Sequence, residues 1–253
     1  MVTQGSETGD AADWGPVPSL FRPARYQLPS LTPREQLRAG RLGRRLPQLY
    51  LGLFLYGWSM AMMIRADLGL DPWDVLHQGL AAYLPVSFGT VTILVGIVVL
   101  LLWIPLRQWP GLGTVSNVFV VGVAVDLGLW LLPGVSGWAL RVTLLLAGVV
   151  LNGLAGAVYL GSHFGAGPRD GLMTGLAAVT GGSIRLLRTG IELSVLVIGF
   201  LLGGTVGVGT VLYALGIGPL VQLFLPWVAV PVPGAAGPAA GAGAVGGSPD
   251  GPG

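Results

Sequence analysis

Long apolar runs alternate with short polar breaks from residue 48 to residue 226. Six runs (48–66, 88–106, 113–132, 140–162, 187–204 and 208–226) are each near the roughly 20 residues a helix needs to cross the hydrocarbon core, and they predict six transmembrane helices. Two segments, 70–84 and 166–180, are shorter, open on Gly and Pro, and carry Asp with His or Arg. They predict short helices that re-enter the membrane or lie at its surface. Residues 1–46 are polar and become Arg-rich, reading as disordered over 1–30 and as a short basic helix over Arg34–Arg45. The Pro/Gly/Ala-rich stretch 228–253 reads as unstructured.

The apolar pattern repeats. Shifted by 96 residues, Gly69, Pro72, Asp74, Leu76 and Gly79 fall on Gly165, Pro168, Asp170, Leu172 and Gly175, and Gly111-Leu-Gly113-Thr114-Val115 falls on Gly207-Val-Gly209-Thr210-Val211. Without a gap, residues 51–129 and 147–225 share 24 identities in 79 positions. Apolar bias alone matches Leu, Val and Ala; it does not match Pro and Asp in one frame. The chain therefore reads as two membrane repeats, 47–133 and 138–227, a form in which many transporters build a site at a pseudo-symmetry axis. Three crossings per repeat is an odd number, so the second repeat is expected to be inverted. Arginine placement agrees: with a cytoplasmic N-terminus, 11 arginines lie inside and two, Arg65 and Arg141, outside. Both tails are then cytoplasmic and the 133–139 connection is external.

Composition supports an all-α membrane protein. The apolar fraction is 53%, charged residues are 9%, and mean hydropathy is +0.75. The absence of Cys rules out disulfides, thiolate nucleophiles and Cys-bound metals, and the absence of Lys rules out a Schiff base or a P-loop. No cofactor, metal or nucleic-acid partner is expected, and no cleavable signal peptide is seen in residues 1–30. The partner that composition implies is the lipid bilayer. The basic stretch Arg34–Arg45 either binds anionic lipid headgroups or only holds the N-terminus inside.

The segments LGLDPWDVLHQGLA (68–81), FGTVTILVGIVVLLLWIPL (88–106), GLGTVSNVFVVG (111–122) and GVGTVLYALGIGPLVQ (207–222) resemble the YczE/YyaS/YitT family of bacterial integral membrane proteins. The resemblance covers most of residues 50–226. It implies a multi-pass protein of the bacterial cytoplasmic (inner) membrane, without implying a substrate.

Candidate chemistry lies in the few ionisable residues near the spans. Asp71-Pro72-Trp73-Asp74 has the order of a helix start, with Asp71 as N-cap and Asp74 in the first turn, and Gly167-Pro168-Arg169-Asp170 repeats it. Asp74 and Asp170 are therefore capping residues, or they bind a cation, a proton or a cationic group where two half-helices meet. Asp67, Asp71, Asp74 and His77 form either an acidic vestibule or a solvated loop. Asp126 lies within the third span with Gln222 at the matching place in the sixth; it either lines a cavity or bonds a neighbouring helix. Arg188 and Glu192 are four apart and open the fifth span, as an interfacial pair or as a gate.

The reading that accounts for these features is a small transporter or carrier, not an enzyme, with its site between inverted repeats. The alternative is a non-transporting membrane partner. An intramembrane aspartic protease would need Asp74 and Asp170 close enough to share a proton.

Overall fold

The computed structural model describes residues 31–232, and all regular structure among them is helical. The expected disorder of residues 1–30 and most of the C-terminal tail lie outside the described residues. The helices are α1 (Pro33–Arg38), α2 (Leu42–Ala66), α3 (Pro72–Ala81), α4 (Phe88–Leu102), α5 (Leu112–Leu131), α6 (Trp138–Leu160), α7 (Pro168–Thr180), α8 (Ile184–Leu201) and α9 (Val208–Val228). The starts of α6, α7, α8 and α9 each fall 96 residues after those of α2, α3, α4 and α5.

The backbone repeats as faithfully as the helix starts. Left-handed residues occur in pairs at the same offset: Arg41 (φ 53°) with Gly137 (101°), Asp67 (49°) with His163 (57°), Gly69 (109°) with Gly165 (103°), and Arg107 (53°) with Gly203 (93°). Non-glycine residues avoid this region, so Arg41, Asp67, Arg107 and His163 are held there by the fold around them.

Four helices among the described residues, α2, α5, α6 and α9, are long and apolar enough to cross a membrane. Two of the six expected spans, α4 and α8, do not meet that measure. α4 stops at Leu102 after 15 residues, short of the expected 106. Pro105 disfavours helical backbone at the residue before it, and the Trp103 indole N–H turns back to donate to Pro168 O at 3.0 Å. α8 has 18 residues but carries Arg185, Arg188 and Glu192. The outer faces expose large apolar side chains, among them Val98, Val123, Val197 and Leu215, as lipid-facing surfaces do.

Small residues set the packing. α2 and α6 run antiparallel over their whole length: Arg45 lies at Ser162, Gly52 at Tyr159, Ser59 at Asn152, and Ala66 at Arg141. α2 and α5 run parallel, with Gly57 against Val121 and Ala124, and Ala61 against Gly128. α6 and α9 repeat that arrangement through Leu145–Gly209, Asn152–Tyr213 and Gly153–Leu220. α4 is antiparallel to α5, with Gly89 beside Asp126 and Gly96 beside Val118. The short helices cross between halves: α3 packs on α8 and α7 on α4. One backbone bond states the exchange most plainly. Gly113 N–H donates to Phe164 O and its counterpart Gly209 N–H to Leu68 O, both at 2.8 Å.

The N-terminal arginines divide. α1 carries a Thr32/Glu35 capping box, in which the Thr32 backbone N–H and then its hydroxyl hold the Glu35 carboxyl below its usual value. Arg34, Arg38, Arg41 and Arg44 are exposed. Arg45, expected at the headgroups, is fully buried. Its guanidinium donates to Ser162 O (2.8 Å), Gln36 O (2.8 Å), His163 O (3.0 Å) and Gly40 O (3.2 Å) and stacks 4.4 Å over the Phe164 ring. The tail, expected to be free from Val228, is held as far as Val230. Val230 N–H donates to Gly161 O, His163 Nε2 lies 2.9 Å from Val230 O, and Gln48 donates to Val228 O.

Candidate functional site

α3 and α7 begin where the halves meet. The turns at Asp67–Gly69 and His163–Gly165 send the chain back inward from the ends of α2 and α6, and Pro72 and Pro168 then start the short helices. Asp71 caps α3: its Oδ1 accepts from Trp73 N–H (2.8 Å) and Asp74 N–H (3.0 Å). α7 has only Gly167 as cap, with no side-chain bond. Into this gap between helix starts comes Arg169, from the first turn of α7. Its Nη1 lies 3.5 Å from Asp71 Oδ1 and its Nη2 3.7 Å from Asp74 Oδ1, and its guanidinium sits 5.1 Å from the Trp73 ring. Asp74 Oδ1 also meets His77 Nδ1 at 3.1 Å.

The helix starts open on a cavity of about 950 Å³ walled by both halves. Asp71 at the cap of α3 is joined by Trp73 and His77 from α3, Asp170 and Arg169 from α7, Arg188 and Glu192 from α8, and Gln222 from α9. Tyr56, Tyr159 and Tyr213 give it an aromatic wall. Behind them runs a buried polar chain: Tyr56 and Tyr213 hydroxyls 3.3 Å apart, Tyr213 O–H to Asn152 Oδ1 at 3.0 Å, and Asn152 N–H to Ser59 Oγ at 2.8 Å. These groups satisfy one another, as buried polar groups in lipid must. The Trp73 indole N–H, by contrast, is buried without a partner.

The residues singled out in the sequence separate into three groups. Asp71, Asp74 and His77 form one cluster with Arg169, Asp74 being wholly buried and off the cavity wall. Asp170, Gln222, Arg188 and Glu192 lie on the wall, the last two joined by a 2.9 Å ion pair. Asp126 is elsewhere. It accepts from Gly89 N–H at 2.7 Å and from the Ser87 hydroxyl, so it caps the start of α4 from the neighbouring helix. Asp67 does not join Asp71, Asp74 and His77; it pairs at 2.9 Å with Arg141 at the start of α6. Arg169 is not among the candidate residues the sequence offers. The signal that points to more is its place: a cation in the first turn opposes the helix dipole unless something compensates it.

The two halves differ where the cavity opens. In the first, Gly89 and Gly96 let α4 close against α5, with Asp126 capping the join. The matching positions in the second half are Arg185, Glu192 and Gln222. α8 correspondingly does not pack along α9 as α4 does along α5. Replacing glycines by long charged side chains keeps these helices apart and leaves Gln222 facing the cavity.

Residues 43–226 match the family model described as a family of unknown function, DUF6198. An uncharacterised protein of Haemophilus influenzae is 39% identical over 72% of this chain and 83% of its own. The uncharacterised membrane protein YczE of Bacillus subtilis is 32% identical over 70% of this chain and 83% of its own. YyaS, also of Bacillus subtilis, is 27% identical over 70% of this chain and 90% of its own. No solved structure matches.

Proposed function

We propose that this chain, which belongs to the DUF6198 family of membrane proteins, is a carrier for a small polar solute, with its site between two inverted halves. The observation that carries the reading is the cavity of about 950 Å³, with charged residues converging on it from the starts of α3 and α7 and from α8. Its volume lies in the range of roughly 300–1,000 Å³ usual for small-molecule sites. Helix directions support the inversion. Equivalent helices α2 and α6 are antiparallel, so the axis relating them is perpendicular to both. α2 and α5 are parallel with α4 opposed, which fits three passages per half and a re-entrant α3. Paired discontinuous helices meeting at a pseudo-two-fold axis are the form in which many carriers hold cargo. Both tails are then cytoplasmic, in the inner membrane.

The protease reading finds less support. It needs Asp74 and Asp170 to share a proton, whereas Asp74 is buried on Arg169 off the cavity wall and Asp170 stands on that wall.

The test uses the absence of native cysteine. Val95 lines the cavity from α4. A Val95→Cys variant in oriented vesicles is treated with a membrane-impermeant thiol reagent from each side in turn. A carrier exposes the site alternately, so labelling from both sides is expected. Labelling from neither side, in protein that remains folded, means a closed cavity and favours the non-transporting partner.

A further inference from the structure

Asp71 and Asp74 are 1% and 0% exposed, yet each has one oxygen without any hydrogen-bond partner: Asp71 Oδ2 and Asp74 Oδ2. Their other oxygens are engaged. Asp71 Oδ1 takes two backbone N–H groups, Asp74 Oδ1 takes His77, and both face the Arg169 guanidinium, one at Nη1 and one at Nη2. Two carboxyls seated side by side on one guanidinium leave the cluster one negative charge in excess. Burying an uncompensated charge is costly.

The one bond His77 makes to the carboxyls, from Nδ1 to Asp74 Oδ1, needs only the neutral imidazole, and nothing else nearby supplies the missing charge. From α8, Arg188 is bonded to Glu192 on its own helix. From α7, Asp170 adds a further carboxylate. α2, α6 and α9 offer the tyrosines 56, 159 and 213, and α4 offers only the Thr92 hydroxyl, 3.4 Å from His77 Nδ1. The N-terminus of α3 contributes a partial positive charge, about half an elementary charge.

We infer that Asp71 and Asp74 together hold one proton, as an O–H···O bond between their otherwise unpartnered Oδ2 atoms. One proton neutralises the excess and satisfies both oxygens at once, as a donor on one carboxyl and an acceptor on the other. A metal ion fits worse. Hard cations gather about six or more oxygen ligands. Here the free oxygens are two, their neighbours are N–H donors and a guanidinium, and no three His, Asp or Glu among the described residues are placed to hold a metal. That this proton is the one a carrier exchanges with its cargo rests on the function proposed above; the protonation itself does not.

The experiment reads the proton directly. Infrared difference spectra of the full-length protein in detergent, taken on raising the pH, report the carbonyl stretch of a protonated carboxyl. The wild type is expected to lose one such band. Asp71→Asn and Asp74→Asn are each expected to lack it, because a lone carboxylate opposite Arg169 stays ionised. Asn at position 71 still accepts the capping N–H bonds, so the helix start survives. Asp126→Asn, outside the cluster, keeps the band. A wild type with no protonated-carboxyl band at any pH where it is folded overturns the inference. So does a band that survives in either single variant, or carboxylate changes produced by adding sodium at constant pH. None of these readings needs transport, so their failure is separate from the failure of the carrier.

Discussion

Replacing Arg45 by Met tests whether the N-terminal arginine segment is a structural tie or only a topological marker. Arg45 is fully buried and joins three stretches of chain through four carbonyls: Gln36 at α1, Gly40 before α2, and Ser162 with His163 after α6. A hydrogen bond to a charged group contributes about 1.5–3 kcal/mol, so four give about 6–12 kcal/mol gross. Burying a guanidinium without a carboxylate offsets several kcal/mol of that. The net loss expected for Arg45→Met, which keeps most of the apolar stem, is about 3–5 kcal/mol. For a chain of this size each kcal/mol moves Tm by about 2–4 °C, giving a fall of about 6–20 °C in thermal unfolding of the detergent-solubilised protein. Lys at position 45 retains the charge but concentrates its donors at one point, so Arg45→Lys should lose about half as much. Arg44→Met, at an exposed position one residue away, should change stability by at most about 0.5 kcal/mol. If Arg45→Met and Arg44→Met have the same Tm within about 2 °C, the tie has no energetic content and the reasoning fails.

Gly113→Ala and Gly209→Ala should each destabilise by about 1–3 kcal/mol, since a Cβ would meet Phe164 O at 2.8 Å in one case and would clash with Gly69 O in the other. Thermal unfolding of both variants checks this, and a neutral result at either position would deny the paired crossing between halves. Asp126→Asn, still able to accept from Gly89 N–H, should cost well under 1 kcal/mol, whereas Asp126→Ala should lose about 1 kcal/mol through the missing cap; equal stabilities would contradict the capping role. A cysteine at Ser136, in the connection between halves, should react with impermeant reagent from the periplasmic side; reaction only from the cytoplasmic side reverses the topology.

Much of the architecture was legible because it follows from local rules. The 96-residue offset was visible in Pro72/Pro168 and Asp74/Asp170, and it reappears in every paired helix start. The Asp71-Pro72 start was readable because capping involves residues two and three apart. The segments around α3 and α7 were separable from the spans by length and by their Gly/Pro openings. Helix ends were less legible: α4 ends early because Trp103 finds Pro168 O, 65 residues away.

The roles of individual charges were decided by tertiary structure. Arginine is one letter in the sequence whether it lies at headgroups, as the exposed Arg44 can, or is sealed among four carbonyls, as Arg45 is. Asp126 and Gln222 occupy equivalent positions, yet one caps a helix and the other faces the cavity, because glycines at 89 and 96 admit close packing that Arg185 and Glu192 prevent. Arg169 gains its meaning from Asp71 and Asp74, almost 100 residues earlier. Hydrophobic periodicity and capping are short-range and survive in one dimension. The partner of a buried charge is chosen by which chain segments meet, and that is settled only when the two halves fold onto each other.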